Sequence, residues 1–245
     1  MDTQRFMQVC SIITDQNIER NGIGTLSEKT IHAVLKLYFS PDTSYHEQKV
    51  HNYVADILMN DQIIEVQTRN FNNLRRKLDA FLPDHKVTIV YPVTHTKWLC
   101  WVDEQTGEVS KPRKSPKKGS PATIFKELYR IKDYLNHPNL SLHIMLLDVE
   151  EYRLLNGWSK DRKKGSSRND GIPVNLASEV IIRETSDYAQ LIPDDLPTHF
   201  TTKDYKKSAH VSQGLAWTAL NILSHVNAIK QIGKQGNSHV FERII

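Results

Sequence analysis

Three side chains stand out for what they can do together. Asp56, Glu65 and Gln67 lie on two short β-prone runs, Val54-Ala55-Asp56-Ile57-Leu58 and Ile63-Ile64-Glu65-Val66-Gln67, either side of the polar break Asn60-Asp61-Gln62. A hairpin of this kind brings one carboxylate from each strand towards the other. Two fixed carboxylates are the hard oxygen donors that a divalent cation such as Mg²⁺ (or Mn²⁺) requires. Such a cation suits phosphodiester hydrolysis, where a phosphoryl oxygen is polarised and water activated. On this reading Asp56, Glu65 and the main-chain carbonyl of Val66 are the metal ligands. Gln67, two residues beyond Glu65, falls on the same strand face and is placed to orient water. Glu28, in the first turn of a preceding helix, is the natural third acid, and Glu47 competes with it. The plainer alternative is that Asp56 caps a strand and Glu65 is an ion-paired core acid, since buried charges are usually paired.

The elements that must hold these residues follow from hydrophobic periodicity. Ile31, Val34, Leu35, Tyr38 and Phe39 recur at helical spacing and predict a helix over 26–39, ended by Ser40-Pro41-Asp42. Strands are expected over 49–59 and 62–68. A helix over 70–82 carries Phe71, Leu74, Leu78, Phe81 and Leu82 on one side, and a strand returns over 86–93. Helix, strands, helix, strand predicts an α/β fold with a central mixed sheet flanked by helices. Further along, Glu104-Gln105-Thr106-Gly107 suits a hairpin turn, 122–135 a helix, 140–149 a buried strand, and 172–184 a helix with Pro173 near its start. The segment Pro193–Pro197 reads as a linker. Helices over 201–208 and 212–225, then strands over 229–232 and 239–244 joined through Gly233–Asn237, follow the plan of a winged helix-turn-helix.

The first part of this layout resembles the PD-(D/E)xK, or restriction-endonuclease-like, nuclease superfamily. The resemblance covers about residues 22 to 93. It rests on Glu28 in the first helix, Asp56 on one strand, Glu65-Val66-Gln67 on the next, and an amphipathic helix directly after. It implies a Mg²⁺-dependent endonuclease in which Asp56 and Glu65 bind the metal. The last motif position is usually Lys and is Gln67 here, a variant that the superfamily uses. A Lys there adds positive charge near the developing phosphorane, whereas Gln offers a dipole. The motif's proline is also missing, since Ala55 precedes Asp56. Two domains are expected: 1–192 nuclease-like and 193–245 winged helix.

Charge agrees with a polyanionic partner. The chain has 245 residues and a formal net charge of only +4, but its basic residues cluster. One group is Lys111–Lys118; another is Lys160, Arg162, Lys163, Lys164 and Arg168, interleaved with Trp158, Gly and Ser. Either group can track a phosphate backbone or stand as a solvated loop. In the C-terminal module Lys206, Lys207 and Lys234, with Lys203, Lys230 and Arg243, suit phosphates, while Gln213 and Asn221 suit adenine edges. DNA is therefore the expected partner, and a homodimer is compatible with it. A winged helix that binds protein is the competing use of this module. No apolar run is long enough to cross a bilayer and the N-terminus lacks a signal pattern, so a cytoplasmic protein is expected. Cys10 and Cys100 read as reduced core thiols. Two other readings stay open: a DNA-binding regulator whose nuclease fold has lost its chemistry, and a protein-interaction adaptor.

Overall fold

The structure, a computed structural model, describes residues 2–21, 29–103, 105–155 and 167–244; the side chains of 16–21, 29 and 167–170 fall outside the description. Glu28 and the loop residues Lys160, Arg162, Lys163 and Lys164 therefore lie outside it, as does the side chain of Arg168.

The chain is a mixed α/β structure. A seven-stranded sheet runs in the order β1 (His46–Val50), β2 (Tyr53–Met59), β3 (Gln62–Val66), β4 (Lys86–Val102), β6 (Leu140–Leu154), β7 (Ser167–Ile182), with β5 (Arg113–Lys114) paired to β4. Contacts divide the chain into two compact units: 1–46, 92–119 and 145–179 in one, and 47–91, 120–144 and 180–245 in the other. Strands β4, β6 and β7 change unit at Pro92, Met145 and Val180. Residues 193–245 thus group with the segment that carries Asp56 and Glu65.

In the first unit, α1 (Thr3–Asn21) packs on α2 (Lys29–Phe39). Phe6, Val9, Cys10, Val34 and Leu35 are buried, and Phe6 meets Tyr38 edge-on at 5.4 Å. Burial pushes the Cys10 thiol up to about 12, in keeping with a free core thiol; Cys100 is also free and buried. Asp148 on β6 accepts from Asn175 on β7 at 3.0 Å and from the Thr96 N–H at 3.2 Å, and lies 3.2 Å from His95 on β4. Burial alone would raise this carboxyl, but those hydrogen bonds hold it below its ordinary value.

In the second unit, β2 and β3 are antiparallel and β3 and β4 parallel, with Glu65 opposite Ile89. A parallel partner requires a crossover. It is built from a 3₁₀ turn, Phe71–Leu74, and α3 (Arg75–Phe81), whose apolar stripe Phe71, Leu74, Leu78 and Phe81 is buried. Asn70 opens it in the left-handed region at φ 58°, a conformation that Asn tolerates. A second run of 3₁₀ and α turns contains α4 (Phe125–Leu128). Its Glu127, 7% exposed, accepts the Phe71 N–H at 2.9 Å and lies 3.4 Å from Arg130. Glu127 thereby fixes where the crossover starts. Glu127→Ala strands the N–H of a fully buried Phe71 and is expected to cost about 1–3 kcal/mol, read as a lower urea midpoint. An unchanged midpoint would refute this role.

The same unit ends in β8 (His199–Thr201), α5 (Thr202–Ser208), α6 (Gln213–His225), β9 (Ile229–Gln235) and β10 (Ser238–Arg243). The three strands form an antiparallel sheet in the order β8-β10-β9. Thr201 caps α5 through a reciprocal capping box with Asp204, and Ser212 caps α6 by accepting the Leu215 N–H.

Several element expectations need correction. The helix expected over 172–184 is β7 instead. β-branched Val174, Val180, Ile181 and Ile182 favour a strand, which pairs with β6. The strand expected over 49–59 is broken by a tight turn at His51, which sits at φ 54°. The strand expected to end at Val93 runs on through Pro92 to Val102. The helix expected over 70–82 opens with the 3₁₀ turn Phe71–Leu74 and continues as α3, whereas the one expected over 122–135 is largely 3₁₀. No helix among the described residues is long and apolar enough to cross a membrane.

Candidate functional site

The hairpin of β2 and β3 is paired through its main chain from Met59–Gln62 to Ile57–Ile64. One step further the same register sets Asp56 opposite Glu65, so the two side chains share a face of the sheet. There side chains join the pairing. The Val66 N–H donates to Asp56 Oδ2 at 2.8 Å, and the Asp56 N–H donates to Glu65 Oε1 at 3.3 Å. Each carboxylate thus reaches across to a main-chain N–H of the other strand.

The two acids sit in different surroundings. Glu65 is buried, at 2% exposure, while Asp56 is half-buried. Burial raises the Glu65 carboxyl to about 7, and repulsion from Asp56 adds to the rise. Lys77 on α3 opposes both effects: its Nζ lies 2.7 Å from Glu65 Oε2 and its side chain is 24% exposed. The crossover explains this contact. By packing Leu74, Leu78 and Phe81 inwards, α3 leaves Lys77 on a flank from which a four-carbon stem reaches back to β3.

Glu65, Asp56 and Val66 are therefore brought together as the spacing suggested. Gln67 is next to them in the chain, its N–H donating to the Val90 carbonyl at 2.9 Å, but its side-chain amide donates to the Arg69 carbonyl. Among the described residues no group of three or more His, Cys, Asp or Glu is set to hold a metal. Glu47 is exposed on β1. Asn72, Asn73 and Arg76 are exposed on the crossover. Lys77 is what sequence reasoning missed. The one signal for it was a cation on the helix that follows Glu65, indistinguishable by spacing from its neighbours Arg75 and Arg76.

As a metal site, the donor set fits a hard divalent cation. Two facing carboxylates at one strand gap are oxygen ligands of the right class. Lys77 already supplies one positive charge there.

In the C-terminal region Lys206, Lys207, Gln213 and Lys234 are exposed. Asn221 is not fully available, because its Oδ1 accepts from Lys132 Nζ at 2.8 Å. Lys230 lies 3.1 Å from Glu242, and Arg243 donates to the Pro193 carbonyl. In the basic segment 111–118, Lys114 lies over the Trp98 ring, 5.7 Å from its centroid.

With this geometry in view, the comparisons with known proteins place the chain in a family. Residues 29–183 match the model of the Domain of unknown function (DUF8091), and the chain belongs to that family. It is also 34% identical over 183 residues to a Treponema pallidum (strain Nichols) protein described as an uncharacterized protein, covering 74% of this chain and 72% of the relative. No solved structure matches the chain.

Proposed function

We propose that the protein is a Mg²⁺-dependent deoxyribonuclease, an endonuclease of the PD-(D/E)xK type, with residues 193–245 acting as a winged-helix DNA-binding module. The observation that carries this reading is the facing pair Asp56 and Glu65 at the end of the β2–β3 ladder, with Lys77 on Glu65. The antiparallel β2–β3 pair, followed by a helical crossover to parallel β4, supports the restriction-endonuclease-like fold. The order β8-β10-β9 around α5 and α6 supports the winged helix.

In the proposed reaction water adds to the phosphorus and a P–O ester bond breaks. Asp56, Glu65 and the Val66 carbonyl would hold Mg²⁺ or Mn²⁺, which when bound polarises a phosphoryl oxygen and acidifies water. Lys77 holds Glu65 in place and sets a positive charge beside the anionic phosphate. That is the charge missing at Gln67, arriving from the helix rather than the strand. Lys206, Lys207 and Lys234 are placed to meet phosphates, and Gln213 a base edge. The reading is tested with supercoiled plasmid, Mg²⁺ and the full chain, beside an Asp56→Ala control. No cleavage of duplex, single-stranded or branched DNA would sink it.

A second reading is a DNA-binding regulator built on the same fold. The 2.7 Å ion pair of Lys77 and Glu65 favours it, since a cation already neutralises the buried acid. It requires DNA binding that EDTA leaves unchanged and that survives Asp56→Ala.

A further inference from the structure

The second unit holds a cavity of about 230 Å³ that the proposed cleavage chemistry does not use. It is lined by α6 and the β9–β10 hairpin, with Thr202 beside them. The helix period explains its wall. Ala216, Ala219, Ile222 and Leu223 turn into the core, whereas Trp217, Leu220, Asn221 and Ser224 form a stripe at i, i+3, i+4 and i+7 along the cavity. Leu220 and Phe241 are its buried apolar part. The Trp217 indole is 65% exposed, and His239 and Gln231 are exposed across from it on the hairpin strands.

This lining has a specific chemistry. An open indole offers an aromatic face, and Gln231, Ser224, Thr202 and the Asn221 amide offer donors and acceptors around it. That combination recognises a flat heterocycle with hydrogen-bonding edges. The cavity is smaller than the roughly 300–1,000 Å³ of sites for drug-sized ligands, so it suits one ring system and not a whole cofactor. The flanking charges select what the ring is attached to. Lys203, Lys206 and Lys207 follow Thr202, and Lys234 lies three residues past Gln231, all exposed. The acids nearby are engaged: Asp204 in the α5 cap, and Glu242 with Lys230 and His199.

We propose that this cavity receives one unpaired nucleobase of a single strand, stacked on Trp217, with the phosphates running over the α5 and β9 lysines. The proposal rests on the DNA-acting reading above and names the form of strand that this module takes.

The test uses the full-length Glu65→Gln protein in EDTA, so that cleavage chemistry plays no part. Fluorescence anisotropy compares labelled oligomers of about 12 nucleotides, within the site sizes of single-strand modules: single-stranded DNA, RNA of the same sequence, an abasic strand, and the duplex. Base-bearing single strands are expected to bind roughly 5- to 150-fold more tightly than the abasic strand. Trp217→Ala erases that difference, Trp217→Phe keeps most of it, and Gln231→Ala reduces it. Either DNA or RNA in the preferred place supports the proposal and identifies the sugar. Equal affinity for base-bearing and abasic strands overturns it, as does a Trp217→Ala protein that binds like its parent. Duplex binding without any Trp217-dependent single-strand binding overturns it while leaving the DNA-acting reading intact; loss of all nucleic-acid binding overturns both. Self-association that Trp217→Ala abolishes also overturns it, assigning the cavity to a second copy of the chain.

Discussion

A Glu65→Gln variant is expected to lose Mg²⁺-dependent cleavage and, without metal, to be more stable than its parent at pH 8. On the proposed nuclease reading, the loss follows from removing a carboxylate that would hold the metal, a change on the order of 10²–10³-fold in rate. The gain follows from burial. Glu65 is 2% exposed and faces Asp56, and its carboxyl titrates at about 7. In the unfolded chain the same group titrates at its ordinary, lower value. The folded protein therefore holds the proton more tightly, and Glu65 contributes its full stability only below the unfolded value. That contribution drains away as pH rises through the folded one. The amide that replaces the carboxyl does not titrate, so the variant avoids the drain and still accepts from Lys77. A difference of about 1–3 kcal/mol in its favour is expected at pH 8, vanishing near pH 4, read from urea unfolding in EDTA. Parallel pH profiles for the two proteins would refute the burial argument; full cleavage by the variant would refute the catalytic one.

The second large effect belongs to Lys77. Lys77→Met removes the cation 2.7 Å from Glu65 and leaves two carboxylates facing each other. Breaking a buried pair by removing one partner costs about 3–5 kcal/mol. Protonation of Glu65 limits the loss, so most of it is expected above pH 7 and little at pH 5. Lys77→Arg keeps the charge and is expected to keep most of the stability. The metal separates the two readings of function. If Asp56 and Glu65 bind Mg²⁺, the cation replaces the lost ammonium and the melting temperature of Lys77→Met rises with added Mg²⁺ more than that of the parent. If the ion pair has retired the site, Mg²⁺ restores neither stability nor cleavage in any variant.

These expectations depend on a contact that the sequence shows poorly. The acids themselves were legible. Val54–Leu58 and Ile63–Gln67 are β-prone runs around a polar break, and a hairpin with that break places Asp56 across from Glu65. The apolar stripe of the crossover helix was legible too. Lys77 was not, because its partner is twelve residues away on another element and the pairing depends on how α3 lies over β3. The strand β7 was misread for a related reason. Ile172, Val174, Leu176 and Val180 satisfy a period of two, but Pro173 near the start of an apolar run equally suits the first turn of a helix. Only pairing with β6 decides between them. The turn at His51 depends on a left-handed residue that carries no glycine signal. Asn221 points outward by helix period, yet tertiary packing gives it to Lys132.

The end of the β2–β3 ladder carries one more consequence. Two amide protons, those of Asp56 and Val66, have carboxylates as acceptors. Carboxylate acceptors answer to proton and cation; carbonyl acceptors do not. The mouth of this hairpin is thus a gauge of its own occupancy: whatever binds or protonates the acids must be registered in the exchange rates and chemical shifts of those two amides, before any substrate is present.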